Sequence, residues 1–436
     1  MHAPRVRALY MERVYVAISP HVYLRIRSIR QRDTPLLPGL KEIYIPDDTS
    51  LDLSSALLLA SESPINLVQL NNSATSDRQF CIPFLFLLSV NSFNLTHLTL
   101  CGTTDMSLEL VPRFKKLQKL ELRLSGTYLD SKILQDLGKL NNLLDMTLDA
   151  GSFQSIPTTW FFEGKSDLPP STNSPFIQLR KLRILGTPSS MSRILDEMNF
   201  LTNLTTLIIH ETTDGSRHDT DTESSWNRCF AIISTFAAIE DIEITQLEPS
   251  HRRHHYSLST SCFYPLYKLA NVTNFVINNS TLSGSDDDFR FLVCAFPKLK
   301  TFVEPRANYR EGRTLASLLH FSEANRDLRE LKVSLASDIS TNLKAISVLG
   351  RPIIQNHQHP LLKLHIASDF GSLELPDMIR IAQFLDLIFP NLSTLEAYHS
   401  NEHEVSKWTK IQQIRVALQA ARIKASATKN ITNEQV

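Results

Sequence analysis

An α/β solenoid, with one parallel strand and one helix in each repeated unit, is the fold class that the sequence predicts. Three observations predict it. A frame of apolar residue, two residues, apolar, one residue, apolar recurs along the whole chain. Its starts lie about 30 residues apart, the period of a solenoid. The segments between them carry apolar residues at helical spacing.

The frame starts at Val6, Leu40, Leu67, Leu95, Leu117, Leu143, Leu179, Leu204, Ile239, Val272, Leu299, Leu328, Leu361 and Leu392, with gaps of 22 to 36 residues. Val6, Leu67 and Leu299 match it least well. Its last two apolar positions are two apart, so on a strand both face one way. The first apolar position falls on the bend before the strand and turns inward too. This is the strand portion of a leucine-rich repeat. Three residues past the frame, such repeats use Asn, Cys or Thr to bond the descending backbone. Here that slot holds Thr103, Ser125, Gly151, Thr187, Thr212, Ser280 and Ser400, but also Leu247, Pro305 and Ala336, so irregular repeats are expected.

Helices follow the strands. Ile133, Leu134, Leu137 and Leu140 form one apolar stripe, and Ile194, Leu195, Met198 and Leu201 another. Phe289, Leu292, Val293 and Phe296 follow Ser285 and Asp288, a cap-like start. Met378, Ile381, Leu385 and Ile388 follow Pro376 and Asp377, which suit a first helical turn. The expected shape is a horseshoe with strands on the concave face and helices on the convex face.

Residues 1–400 are expected to form about 12–14 units. A capping helix is expected over 401–424, with a stripe of Val405, Trp408, Ile411, Ile414 and Leu418, and a disordered tail over 425–436. Inserts are expected at Glu163–Pro175, Glu211–Ser225 and Glu248–Ser261. The opening unit at Val6 has no polar-faced cap, so either that unit improvises one or an upstream segment supplies it.

Composition narrows the chemistry. Lys plus Arg is 45 and Asp plus Glu is 45, which leaves no diffuse positive field for nucleic acid. Glycine is 12 of 436 residues, about 2.8% against an ordinary level of about 7%, which argues against glycine-rich phosphate loops. Five scattered cysteines with no Cys-x-x-Cys pair fit reduced thiols in a cytoplasmic or nuclear protein. The most apolar stretch, Phe80–Val90, is too short to span a membrane and reads as a buried helix.

Catalytic and metal motifs find little support. His251, Arg252, Arg253, His254 and His255 read as a solvated basic loop, because adjacent histidines rarely converge on one metal. His357 and His359 read as a turn, and Glu402, His403 and Glu404 as a polar helix start. Neither a P-loop, a G-x-G-x-x-G nor a G-x-S-x-G sequence occurs. No cofactor or metal and no catalytic residue is expected. The functional candidates are instead the polar residues that alternate outward on the strands: Lys119, Glu121, Arg123, Lys181, Arg183, His210, Asp241, Glu243, Glu330, Lys332, Lys363 and His365, with Asp145 and Asp149 among them. Their mixed signs suit a protein ligand better than a polyanion.

The irregular units LPGLKEIYI, LTHLTL, LQKLEL, LRKLRIL, LTNLTTLII and FPNLSTLEA, with the opening APRVRALYM, resemble the leucine-rich repeat region of F-box proteins of mushroom-forming fungi. That resemblance implies a non-catalytic solenoid that selects substrates for a ubiquitin ligase. A Skp1-type adaptor is implied only with an F-box upstream, since none is visible in the chain. A leucine-rich regulator of an enzyme, of the GTPase-activator or inhibitor type, is the alternative. A third reading is a truncated paralogue without independent activity.

Overall fold

The computed structural model describes residues 5–10, four residues between 21 and 28, 36–45, 63–72, 78–102, 108–124, 129–152, 176–198, 201–212, 222–247, 257–279, 281–304, 313–348, 359–368, 370–398 and 402–433. The insert at Glu163–Pro175, the His251–His255 cluster, His357, and the polar slots at Thr103, Ser125, Ser280 and Ser400 lie outside the described residues. The chain forms two compact units, Met1–Leu207 and Ile208–Val436.

In unit 1 the order is β1 (Ala8–Tyr10), β2 (Glu42–Ile45), β3 (Leu67–Asn72), α1 (Arg78–Asn91), β4 (His97–Gly102), β5 (Lys119–Leu124), α2 (Ser131–Gly138), β6 (Asp145–Asp149), β7 (Lys181–Gly186), α3 (Pro188–Glu197), and the start of β8 (Thr206–Thr212). Strands β1 to β7 pair in chain order, every pair parallel. Unit 2 continues with α4 (Thr222–Ile233), β9 (Asp241–Leu247), β10 (Ser257–Ser259), β11 (Asn274–Asn278), β12 (Thr281–Ser283), α5 (Asp286–Ala295), β13 (Thr301–Val303), α6 (Ser317–Ala324), β14 (Glu330–Ser334), α7 (Ile339–Val348), β15 (Lys363–Ala367), α8 (Leu375–Ile388), β16 (Thr394–Ala397) and α9 (Glu402–Asn433). There β9, β11, β13, β14, β15 and β16 pair in parallel, while β10 and β12 form a separate parallel pair.

The frame does what its spacing predicts. Leu95, Leu98 and Leu100 are buried, as are Leu117, Leu120 and Leu122, and so on down to Leu361, Leu364 and Ile366. Most strands of the main sheet are registered by two successive N–H groups that donate to one carbonyl of the preceding unit. Thr96 and His97 donate to the Asn66 carbonyl, Gln118 and Lys119 to Thr96, and Arg180 and Lys181 to Leu144. In unit 2, Arg329 and Glu330 donate to Lys300, and Ser393 and Thr394 to Leu362. At the exit of β7, Gly186 has φ +149°, and a Cβ there would meet the Ala150 side chain at 2.9 Å. Glycine is thus used where the backbone demands it and is sparse elsewhere.

Several expectations need correction. The third unit starts at Ile65, so the frame there is Ile65, Val68 and Leu70, two residues earlier than read from Leu67. A shift of two keeps the strand residues on their faces, because the strand period is two, and only Leu67 moves from the inward bend to an outward position. Beyond the slots read from the sequence, a polar ladder lies on the ascending bend, one residue before the frame. Asn142 donates to Lys115 O, Asn203 to Ile177 O, Asn271 to Ala237 O and Asn391 to His359 O, while Lys116 and Lys298 reach back to Asn94 and Asn271. Thr187, assigned to the descending slot, instead caps α3 by accepting from the Ser190 N–H.

The inserts at Glu211–Ser225 and Glu248–Ser261 are also shorter than expected. Glu211 and Thr212 end β8 and Thr222 opens α4, while Ser257–Ser259 is a strand and Thr260–Lys268 a 3-10 helix. Helix α1 buries Phe84, Leu85 and Leu88 but leaves Ile82, Phe86 and Val90 exposed. Helix α9 continues past Lys424 to Asn433, where a tail without structure was expected. No Gly or Pro interrupts residues 402–436, and alanines recur through the segment, so its backbone preference is helical. Val405 is exposed; the buried face of α9 is Glu404, Lys407, Trp408, Ile411 and Arg415.

The weak match at Leu299 has a physical reason. The last position of that frame is Glu304, which is fully buried and ion-paired with Arg313. The Arg313 guanidinium stacks on Phe289 at 3.3 Å, and the Tyr398 hydroxyl donates to the Glu304 carbonyl. A charge pair therefore replaces a leucine in the core of unit 2. Losing one partner of such a pair costs far more than replacing both by apolar residues.

Candidate functional site

The outward positions of the strands are ordered by register into rows. In unit 1 one row runs His97, Lys119, Asp145, Lys181. The adjacent row runs Tyr10, Tyr44, Gln69, Thr99, Glu121, Thr147, Arg183. A third contains Asn71, Cys101 and Arg123. The predicted residues Lys119, Glu121, Arg123, Lys181 and Arg183 therefore all share one face of unit 1, with Asp145 and Asp149.

A hollow of about 340 Å³ opens on that face, lined by Gln69, Asn71, Thr99, Cys101, Gly102, Glu121 and Arg123. Arg123 Nε bonds Glu121 Oε1 at 2.7 Å and closes one side of it. The Cys101 thiol is pushed above its ordinary pKa by burial and then by the Glu121 carboxylate. A thiol held protonated is the reverse of an activated nucleophile. The buried Asn71 Oδ1 atom has no hydrogen-bond partner among the described residues, and neither has Arg183 Nε. Next to the hollow, the Tyr10 and Tyr44 rings stack at 4.4 Å and 3°. The Tyr44 hydroxyl donates to Glu42 Oε2, and burial raises its pKa to about 12.

Charge marks only part of this face, and its neutral members carry no such signal in the sequence. Tyr44, Gln69, Asn71 and Thr99 occupy outward positions of their frames, and alternation alone would have found them.

In unit 2 the rows run Asp241, Asn274, Thr301, Glu330, Lys363, Thr394 and Glu243, Val276, Val303, Lys332, His365, Glu396. Asn274 Nδ2 donates to Asp241 Oδ1 at 2.5 Å, and Asn278 Nδ2 to Glu243 Oε1 at 3.4 Å. Lys332 pairs with Glu330 at 3.2 Å, and His365 Nδ1 lies 3.5 Å from Glu396 Oε2. Burial, then Lys332, lowers the His365 pKa. His210 is half-buried on β8 and Lys363 is exposed. His359 belongs to the core. Its Nδ1 accepts from the Leu361 N–H, so Nε2 carries the proton donated to Asn325 O at 3.1 Å.

No protein-family model matches the chain, and no curated protein does. Among solved structures it is similar to an internalin (InlF) from Listeria monocytogenes, at 12% identity and a TM-score of 0.40, covering 86% of this chain and 80% of that chain. The repeat register itself carries the assignment: parallel strands, one per frame, with helices between them. The chain is an α/β leucine-rich repeat solenoid.

Proposed function

We propose that this chain is a non-catalytic protein-recognition solenoid, and that the strand-exposed face of unit 1 is where its partner binds. The observation that carries the reading is the mixed charge of that face. Lys119, Asp145 and Lys181 alternate in sign along one row, and Glu121 and Arg183 share the next. Alternating signs suit a complementary protein surface, whereas a polyanion needs a run of cations. The protonated Cys101 thiol argues against nucleophilic chemistry in the hollow.

We further propose that the solenoid is the substrate-recognition part of an F-box-type ubiquitin ligase, working in the cytoplasm or nucleus. The irregular repeats resembling those of fungal F-box proteins support this, and a Skp1-type adaptor would bind only through an F-box upstream of Met1.

Photo-crosslinking from position 97 or 145 on the face, with the adduct identified by mass spectrometry, tests the recognition claim. A protein adduct is expected that K181E/R183E loses while its urea midpoint stays at the wild-type value. Unchanged adduct formation in that variant would refute the assignment of the face.

A further inference from the structure

We propose that the strand-exposed face of unit 1 receives an extended acidic peptide segment crossing the strands, with a flat side chain on the Tyr10–Tyr44 stack and carboxylates at Arg183 and Lys181. This rests on the protein-recognition reading above and names the chemistry of the partner.

The order of residues along one row carries the argument. From β1 to β7 it changes from aromatic, through neutral amide and hydroxyl, to a self-neutralised pair and then to a cation. Tyr10 is 63% exposed, so the aromatic stack presents an open ring face. Such a face takes an aromatic ring, a proline or another flat group. In the middle, Glu121 is engaged by Arg123 at 2.7 Å and contributes little net charge. At the far end Arg183 makes no ion pair among the described residues, and Lys181 stands two residues from it on the same strand face. Leaving a buried donor unpaired is costly, and an incoming carboxylate offsets that cost.

Asn71 adds an independent observation. Its Oδ1 is buried, without a partner among the described residues, and on the wall of the hollow. It requires a donor, and a peptide backbone supplies N–H groups at regular intervals. From Tyr44 to Arg183 is five strand steps of about 4.8 Å, or about 24 Å, the reach of about seven extended residues. A simple polyanion fits less well, because Asp145 lies between Lys119 and Lys181 in the register.

The test is selection of a random-peptide phage library on the full chain, followed by fluorescence anisotropy with the enriched peptides. Enrichment of sequences with Asp or Glu toward one end and an aromatic residue or proline toward the other is expected. Arg183→Gln and Asn71→Ala should each weaken binding about tenfold, the size of one charge-assisted or buried hydrogen bond. Arg183→Lys, which keeps the charge, should recover part of that loss. The urea midpoint of each variant confirms that it is folded. Enrichment of neutral or basic peptides, affinity indifferent to Arg183→Gln, equal binding of heparin, or no enrichment would each overturn the acidic-peptide assignment. In those cases a protein crosslinked to the same face would still uphold the recognition reading, so the two failures are separable.

Discussion

Glu211 shows what burial does to a single side chain. It lies at the end of β8, 3% exposed, and desolvation raises its pKa from 4.5 to about 8. The folded protein therefore keeps this proton at pH values where the unfolded chain has released it. Its contribution to stability is full below about pH 4.5 and falls as pH rises to about 8, at about 1.4 kcal/mol per pH unit. Urea unfolding across that window should show a falling midpoint in the wild type and a flatter profile in Glu211→Gln; parallel profiles would refute the buried proton. Sequence alternation places Glu211 on the inward side of its strand, yet in the sequence it read as the start of a polar insert. Acidic and hydroxyl neighbours after it dominated the composition, and only the fold shows that the strand runs two residues further than that reading allowed.

At the scale of the element, the strands were the most legible parts of the chain. The reason is that one inward face imposes a period of two and the bend adds a third apolar site. The asparagines before the frames were visible too, as a recurring Asn-Leu-Thr, but not their partners. They bridge to a carbonyl of the preceding unit, a contact between residues 26 to 34 positions apart. Asn325, three residues before its frame at Leu328, makes the same kind of bond to the preceding unit, and the energetic weight of these bonds should follow burial. Asn325 is fully buried and donates to Phe296 O at 2.7 Å and Val293 O at 3.3 Å, whereas Asn203 makes one exposed bond to Ile177 O. Asn325→Ala should cost about 2–3 kcal/mol and Asn203→Ala about 1 kcal/mol or less in denaturant unfolding. Equal costs would mean that burial does not grade these inter-unit bonds. The neutral hollow between β3 and β5 was hidden for a different reason: Gln69, Asn71 and Thr99 carry no charge, and only strand register brings them together.

At the scale of the molecule, a solenoid has ends, and each end must be covered. In unit 2 α9 covers the last strand and helix. Trp408 and Ile411 are fully buried, Trp408 Nε1 donates to Ser368 at 2.9 Å, and Arg422 reaches Asp386 at 2.9 Å. Deleting the chain from Glu402 onward should abolish amide-exchange protection in β15 and β16 and lower solubility; undiminished protection there would show that α9 is dispensable as a cap. The sequence by itself determined the repeat, the parallel strands and the outward rows of charge, because each follows from local periodicity and from which residues water excludes. Tertiary structure alone decided that Glu304 and Arg313 replace a core leucine, that α9 turns Val405 outward and Arg415 inward, and that a stacked tyrosine pair adjoins a polar hollow. Those features depend on contacts between units. A local pattern specifies that a residue faces inward or outward, while its partner there is set by the neighbouring units that pack against it.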